Sequence, residues 1–537
     1  LTGDGRLCVV DSLLGVDPVD MPLEVLLGKA PRMTRDVASR APVTAPLDLA
    51  GLSLRDAAYR VLRLPAVADK TFLITIGDRS VGGMIHRDPM VGPWQVPVGD
   101  VAVTVADYDG VAGEAMAMGE RTPVALLDAP ASGRLAIGEA LTNLLAADVA
   151  SLRDVRLSAN WMAACGEPGE DAALYATVEA VGEQLCPALG IAIPVGKDSL
   201  SMRTAWQQPD GAKRAVVAPV SLIVSAFAPL ADVRRTLTPQ LRLDCGETVL
   251  LLVDLGRGRN RLGGSALGQV CAQLGAVPPD LDDPRLLSGF AAALRELRSA
   301  DRILAYHDRA DGGLFATLVE MAFAAHCGLR IEMPPARRDA YAELFAEELG
   351  VVLQVRVADL DRVRGTFAQQ GLGADVVVPI GRPEPRDARV VIRVGDHLLD
   401  ESWEDLRRAW SETSFLMRSL RDDPACAREE YAAASSWATP PLQAALRFDP
   451  AEDVAAPYVA RGARPKVAVL REQGVNSQSE MAAAFARAGF EPHDVRLRSN
   501  DPRFERALAD LDGPILGFRP HFGWKGHIEH GTPVAHG

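Results

Sequence analysis

Apolar residues along this chain recur at two spacings. From Leu54 to Leu64 the repeat is helical, and Pro65 ends it. A second helical repeat runs from Ser132 to Val149 through Leu135, Ala136, Ala140, Leu144 and Leu145. Between them, TFLITIG (ending on Gly77 and Asp78) and VAVTV at 101–105 are apolar, β-branched runs that predict strands. LSANWMAA, IAIPVG and AVVAPVSLIVSAFA add further strand-like runs. Further on, ETVLLLVDLG at 247–256 has the pattern of a buried strand, and RLLSGFAAALRELRSA that of an amphipathic helix. RILAYHDRADGGLFATLVEMAFAAH reads as strand, turn and helix, and ELFAEELGVVLQVRV as helix into strand. An amphipathic helix is predicted around Leu406, Trp410, Thr413, Met417 and Leu420. After it, PACAREEYAAASSWATPP reads as a linker with short helices. KVAVL at 466–470 opens a new α/β unit that leads through REQGVN into the helix SEMAAAFARAGF. Residues 1–58, broken by Pro22 and Pro31, read as a tail and connector.

The alternation predicts an α/β and α+β multidomain chain. Its 537 residues allow three or four domains, and 48% hydrophobic with 24% charged residues is ordinary globular composition. A net charge of −14 argues against a general nucleic-acid-binding surface but leaves room for a local anion site. No apolar run reaches the roughly 20 residues of a membrane helix. The opening LTGDGRLCVV has neither the basic nor the apolar region of a signal peptide. It also lacks Met, so the chain is expected to begin inside a longer protein. Seven scattered cysteines without a CxxC pair read as buried thiols of a cytoplasmic protein. None follows Cys426.

Several residues are candidates for chemistry. Glu139 and Asn143 stand at i and i+4, so their oxygens share a helix face, and Asp100 stands at the mouth of VAVTV. Such a set suits a hard cation such as Mg2+ bridging phosphates, although a lone Glu-x-x-x-Asn pair is more often a solvated face. Lys70 immediately precedes TFLITIG, where an ammonium can meet a phosphate or simply face water. The densest cluster is His307-Asp308-Arg309-Ala310-Asp311-Gly312-Gly313, at a strand end where two glycines let the chain turn into a helix. Gly196-Lys197-Asp198-Ser199 approaches a phosphate loop, but Ile191 replaces its first glycine. Asp254-Leu-Gly256-Arg-Gly258 approaches a dinucleotide fingerprint, but Arg261 replaces its third.

Taken together, DMPLEVLLGKAPRM, DKTFLITIGDRSVGGMIHRDPMVGPWQVPV, GEAMAMGERTPVALLD, EALTNLLAADV, LSANWMAACGEPGEDAALY, IPVGKDSLSMRT, AYHDRADGGL, EELGVVLQV and VAVLREQGVNSQSEMAAAF resemble the large single-chain form of phosphoribosylformylglycinamidine synthase. The match is ordered to about Gly489. The family joins two copies of an aminoimidazole-ribonucleotide-synthetase-like unit, each with N-type and C-type domains, to a class I glutaminase of flavodoxin-like fold. The resemblance implies that 1–58 end a preceding C-type domain and connect onward. It implies an N-type domain at 59–232, a C-type domain at 233–395, a helical linker at 396–462 and a truncated glutaminase at 463–537.

The implied reaction is the ATP-dependent conversion of formylglycinamide ribonucleotide to the amidine with glutamine-derived ammonia, in purine biosynthesis. Lys70, Gly99 and Asp308 are implied nucleotide-binding residues for ATP or ADP, and Asp100, Glu139, Asn143 and Asp308 Mg2+ ligands. Lys197, Asp198, Ser199, His307 and Arg309 are implied to face a substrate cleft. Position 310 is usually Ser in the family and is Ala here. The glycine-rich ATP segment belongs to the other copy, and the tail after about Arg496 is expected to leave the family pattern. No glutaminase cysteine stands there, so no catalytic residue is assignable and the chain alone is expected to be inactive. The alternative is a non-catalytic ADP–Mg2+-binding half that supports a partner chain. Nucleic acid and membrane are not expected partners. The missing N-terminal half or a second copy is, because TFLITIG and VAVTV, with Phe72 and Val103, are expected to present apolar faces.

Overall fold

The computed structural model describes residues 2–29, 34–77, 79, 83–334, 339–462, 464–471 and 477–496. A six-stranded sheet has the spatial order Ile85–Arg87, Ala102–Val105, Gly113–Glu120, Ser221–Leu230, Arg156–Met162, Ala192–Ser199. Every pairing in it is antiparallel except the last. That parallel pair needs a crossover, which the helical stretch beginning with Glu170–Glu179 supplies. Burial alternates along Gly113–Glu120, so one face packs and the other stays open.

The packed face carries the helix Ala129–Leu144. Asp128 caps it by accepting from the Ala131 amide at 2.8 Å, and a proline in the first turn has its φ preset for the helix. Small residues let the helix lie close. A Cβ on Gly119 would stand 2.1 Å from the Ala136 carbonyl oxygen.

A seven-stranded sheet follows, in the order Ala305–Asp308, Gly350–Arg356, Thr248–Asp254, Val377–Glu384, Gly328–Glu332, Arg389–Val394, His397–Ser402. Its central strand explains the unbroken apolar run VLLLV. Leu251 and Val253 enter one core, while Leu250 and Leu252 enter another, so the strand is buried on both faces. The first core also contains Val103, Ala115, Leu135 and Ile137 and is therefore shared by the two sheets. The second is closed by the helices Leu54–Arg63, Gly313–Ala325 and Trp403–Arg421. The last described elements are the parallel strands Lys466–Arg471 and Glu491–Arg496 with the helix Gln478–Arg487 between them. Ahead of everything stands an exposed hairpin, Arg6–Asp11 with Val16–Pro22.

Two expectations need correction. TFLITIG is not a strand: Thr71–Ile74 form a helical turn. Asp69 accepts from the Thr71 amide at 2.7 Å and from its hydroxyl, and Ser414 accepts from the Phe72 amide at 2.9 Å. Local capping here outweighs β-propensity. VAVTV does form a strand, but Val101 and Val103 point into the shared core rather than to water. The open face of the sheet instead exposes Met118 (58%), Val195 (62%) and Phe227 (41%). REQGVN after Arg471, and the tail beyond Arg496, lie outside the described residues. Among the described residues, no helix is long and apolar enough to cross a membrane.

Candidate nucleotide and metal site

Eight stretches of chain, among them Pro89, Glu320 and Trp410, open onto one cavity of about 420 Å³, and five of them carry the candidate residues or their neighbours. These five are the turn before Thr71, the 97–102 approach to a strand, the strand Gly113–Glu120, the helix Ala129–Leu144, and the strand end and turn at 307–311. Lys70, Gly99, Asp100, Glu139, Asn143, His307 and Asp308 all line it, and Ala310 lies among them.

At its centre, the donor atoms of Asp100, His307 and Asp308 lie within 4.8 Å of one another. His307 Nδ1 is 2.7 Å from Asp100 Oδ1, and Nε2 is 2.9 Å from Glu320 Oε2. Burial opposes a charged imidazole, but Asp100 and Glu320 hold the ring protonated well above its ordinary range. With a proton on each nitrogen the ring fastens Asp100 in place. The Asp308 amide also donates to Asp100 Oδ1, at 3.2 Å.

Asp100 Oδ2 and Asp308 Oδ2 are buried and have no hydrogen-bond partner. Burial, and then the neighbouring Asp100, push the Asp308 carboxyl well above the usual carboxylate range. Two orphaned carboxylate oxygens side by side are costly without a cation, and an all-oxygen set is what Mg2+ prefers. The residues present therefore fit the implied ion. Asn143 Nδ2 donates to the Met118 carbonyl at 3.1 Å, which leaves its side-chain oxygen for a ligand. One turn earlier, Glu139 accepts from the Glu120 amide at 2.9 Å. Burial raises Glu139 to about 7 against the pull of Arg121. Lys70 rests its ammonium on the Ala66 carbonyl at 2.9 Å and on that of Ala68, and burial lowers its pKa. Gly99 passes so close to the preceding chain that a Cβ would stand 3.0 Å from the Asp88 carbonyl oxygen.

The remaining candidates lie elsewhere. Arg309 is fully buried, 2.6 Å from Asp254 Oδ1, and donates to the Glu348 and Leu349 carbonyls at 2.7 and 3.1 Å. It faces the core rather than a substrate cleft. Lys197, Asp198 and Ser199 sit on the edge strand Ala192–Ser199, where Lys197 Nζ donates to Ser199 Oγ at 2.7 Å, and none lines this cavity.

The sequence reading missed the supporting residues. Arg121 is buried and lies 3.0 Å from Asp311, 3.4 Å from Glu139 and 3.6 Å from Glu347. Glu320 also accepts from Trp410 Nε1 at 3.1 Å, tying the site to the helix Trp403–Arg421. As the lone acid in LFATLVEMAFAA, Glu320 carried a readable signal, since a carboxylate in an otherwise buried helix needs a partner.

Three family models match the chain in order. They are the FGAR-AT PurM_N-like domain over 69–229, the C-terminal domain of AIR synthase related protein over 246–392, and the CobB/CobQ-like glutamine amidotransferase domain over 464–513. The last extends past Arg496, where the family pattern was expected to stop. Among solved structures, PurLQS from Thermotoga maritima is similar at 11% identity and a TM-score of 0.47, covering 71% of this chain and 53% of that one. T. maritima PurL complexed with FGAR matches at 9% identity and a TM-score of 0.44, covering 72% and 55%. HypE of E. coli, a hydrogenase maturation protein, matches at 17% identity and 0.38, covering 54% and 84%. This chain thus spans about half the length of the PurL structures. With synthetase-like N- and C-type domains followed by an amidotransferase domain, the chain belongs to the phosphoribosylformylglycinamidine synthase type of protein.

Proposed function

We propose that this chain serves the ATP-dependent conversion of formylglycinamide ribonucleotide, with ammonia from glutamine, to formylglycinamidine ribonucleotide, and that its cavity holds ATP or ADP through Mg2+. The observation that carries the site is the meeting of Asp100 and Asp308, each with an unpartnered buried oxygen, beside Glu139 and Asn143. Asp100, Asp308, Glu139 and the Asn143 oxygen hold the ion in this reading. When bound, Mg2+ would supply positive charge against the phosphates of the nucleotide. Lys70 adds a point charge at the cavity wall, and Gly99 keeps the backbone low enough for a phosphate to approach. His307, clamped by Glu320, positions Asp100. Ala310 offers no hydroxyl, so at that position only backbone can reach the ligand.

The buried chain Glu320–His307–Asp100 also suits a ligand that is held rather than turned over. The second reading is therefore a non-catalytic ADP–Mg2+ half working with a partner, either further protein of the same enzyme or a second copy. Calorimetric titration of Mg2+–ADP into the chain tests the site. Saturable binding should vanish in EDTA and weaken about tenfold or more in Asp100→Asn and Glu139→Gln. Equal affinity in both variants would remove the site. Exchange of bound nucleotide separates the two readings, since a structural ADP leaves far more slowly than a substrate.

A further inference from the structure

A second cavity, of about 690 Å³, shares the wall 99–101 with the first. Six arginines line it: Arg87, Arg234, Arg235, Arg242, Arg298 and Arg356. They arrive from separate places in the fold. Arg87 ends the strand Ile85–Arg87, and Arg234 and Arg235 lie in the turn Val233–Arg235. Arg242 lies on the connector between the sheets, Arg298 near the end of the helix Pro284–Ser299, and Arg356 at the end of the strand Gly350–Arg356. The cavity's acids are Asp88, Asp100 and Asp301. Asp88 is bound to Arg79 at 2.7 Å, and the buried Asp100 is engaged with His307 in the other cavity. On a chain of net charge −14 this gathers guanidinium groups from separate segments at one cavity.

Five of the six stand by an acid: Arg234 by Asp232 at 2.7 Å, Arg242 by Asp244 at 2.7 Å, Arg235 and Arg298 by Asp148 at 3.5 and 3.6 Å, and Arg356 by Asp359 at 3.7 Å. Arg87 has none. Among the described residues it makes no hydrogen bond or ion pair, and it stands exposed at the end of its strand, so its guanidinium is open to a ligand. The cationic lining is entirely arginine, whose planar fork matches phosphate oxygens two at a time. The volume suits a small metabolite.

We propose that this cavity is a binding site for a phosphorylated small molecule, separate from the cavity around Asp100 and Asp308, with Arg87 as its unpaired anchor. The inference does not depend on the function proposed above, and its test keeps the two apart. Pyrophosphate is titrated calorimetrically into the full chain in EDTA, which suppresses metal-dependent binding. One saturable site is expected, weakened about tenfold or more by Arg87→Gln and unchanged by Glu139→Gln. Citrate, an anion without phosphate, should not compete. No saturable binding, loss through Glu139→Gln instead of Arg87→Gln, or equal binding of citrate would each overturn the proposal. Should Arg87→Gln fail to fold, the native chain still decides: pyrophosphate should protect Arg87 from phenylglyoxal, as read by peptide mass, and absence of protection counts against the site.

Discussion

At the residue scale the site is governed by uncompensated negative charge. Asp308 is pushed above the usual carboxylate range by burial and by Asp100, whereas in the unfolded chain it titrates near about 4. Folding without metal therefore either takes up a proton or buries a charge. That penalty is absent at low pH and grows as pH rises from the unfolded value toward the folded one. Asp308→Asn removes it. The metal-free variant should be more stable than the parent at neutral pH by about 1–2 kcal/mol, and should lose the rise in melting temperature that Mg2+ gives the parent. Melting curves in EDTA and in Mg2+ measure both, and an unaltered Mg2+ response in the variant would contradict the ligand assignment. Arg309 behaves in the opposite way. Its pair with Asp254 is wholly buried, so Arg309→Ala removes the cation from a buried carboxylate and should cost about 3–5 kcal/mol in urea unfolding. A variant as stable as the parent would refute the core role.

At the element scale the sheet and its helix place the proposed ligands. Glu139 and Asn143 reach the cavity because the helix Ala129–Leu144 lies against Gly119, where a Cβ would also stand 2.4 Å from the Ala140 amide nitrogen. Gly119→Ala must lift the helix off the sheet. It should destabilise the chain by about 1–3 kcal/mol, and should weaken Mg2+ binding although it touches no ligand. Unchanged Mg2+ affinity would mean that the helix does not set the ligand geometry. This helix was legible in the sequence because its apolar spacing is local, and so were VLLLV and the strand before the His307 cluster. Thr71–Ile74 was not, because the Asp69 cap and the Ser414 hydroxyl decide it, and Ser414 is distant in sequence. The same holds within the site. Asp100, Glu139, Asn143 and Asp308 were accessible through the family resemblance. Arg121, Glu347 and Glu320 acquire meaning only when folding brings them beside those acids, and Arg309 looked functional because it stands in a functional-looking turn.

At the scale of the whole molecule, the open face of the six-stranded sheet is the feature without a partner. Met116 and Phe227 are direct cross-strand neighbours on it, as are Ser158 and Val195, and Met118 pairs with Ser225. Met118, Val195 and Phe227 stay exposed with the described part of the 1–58 connector in place, so those residues do not cover them. Met116 and Met118 also line the cavity around Asp100 and Asp308, so whatever covers the face closes over that cavity too. Apolar area buried there contributes about 25 cal/mol per Å², and Arg156, Glu114, Glu120 and Lys197 on the same face offer both signs of charge to a second copy. A self-complementary face meets a second copy about a two-fold axis. The chain should therefore sediment as a dimer at micromolar concentration. Met118→Glu, placing a charge on the face, should shift it to monomer and abolish the dependence of its melting temperature on protein concentration. A parent chain that sediments as a monomer, or a Met118→Glu variant that remains dimeric, would show that the copies do not meet through this sheet.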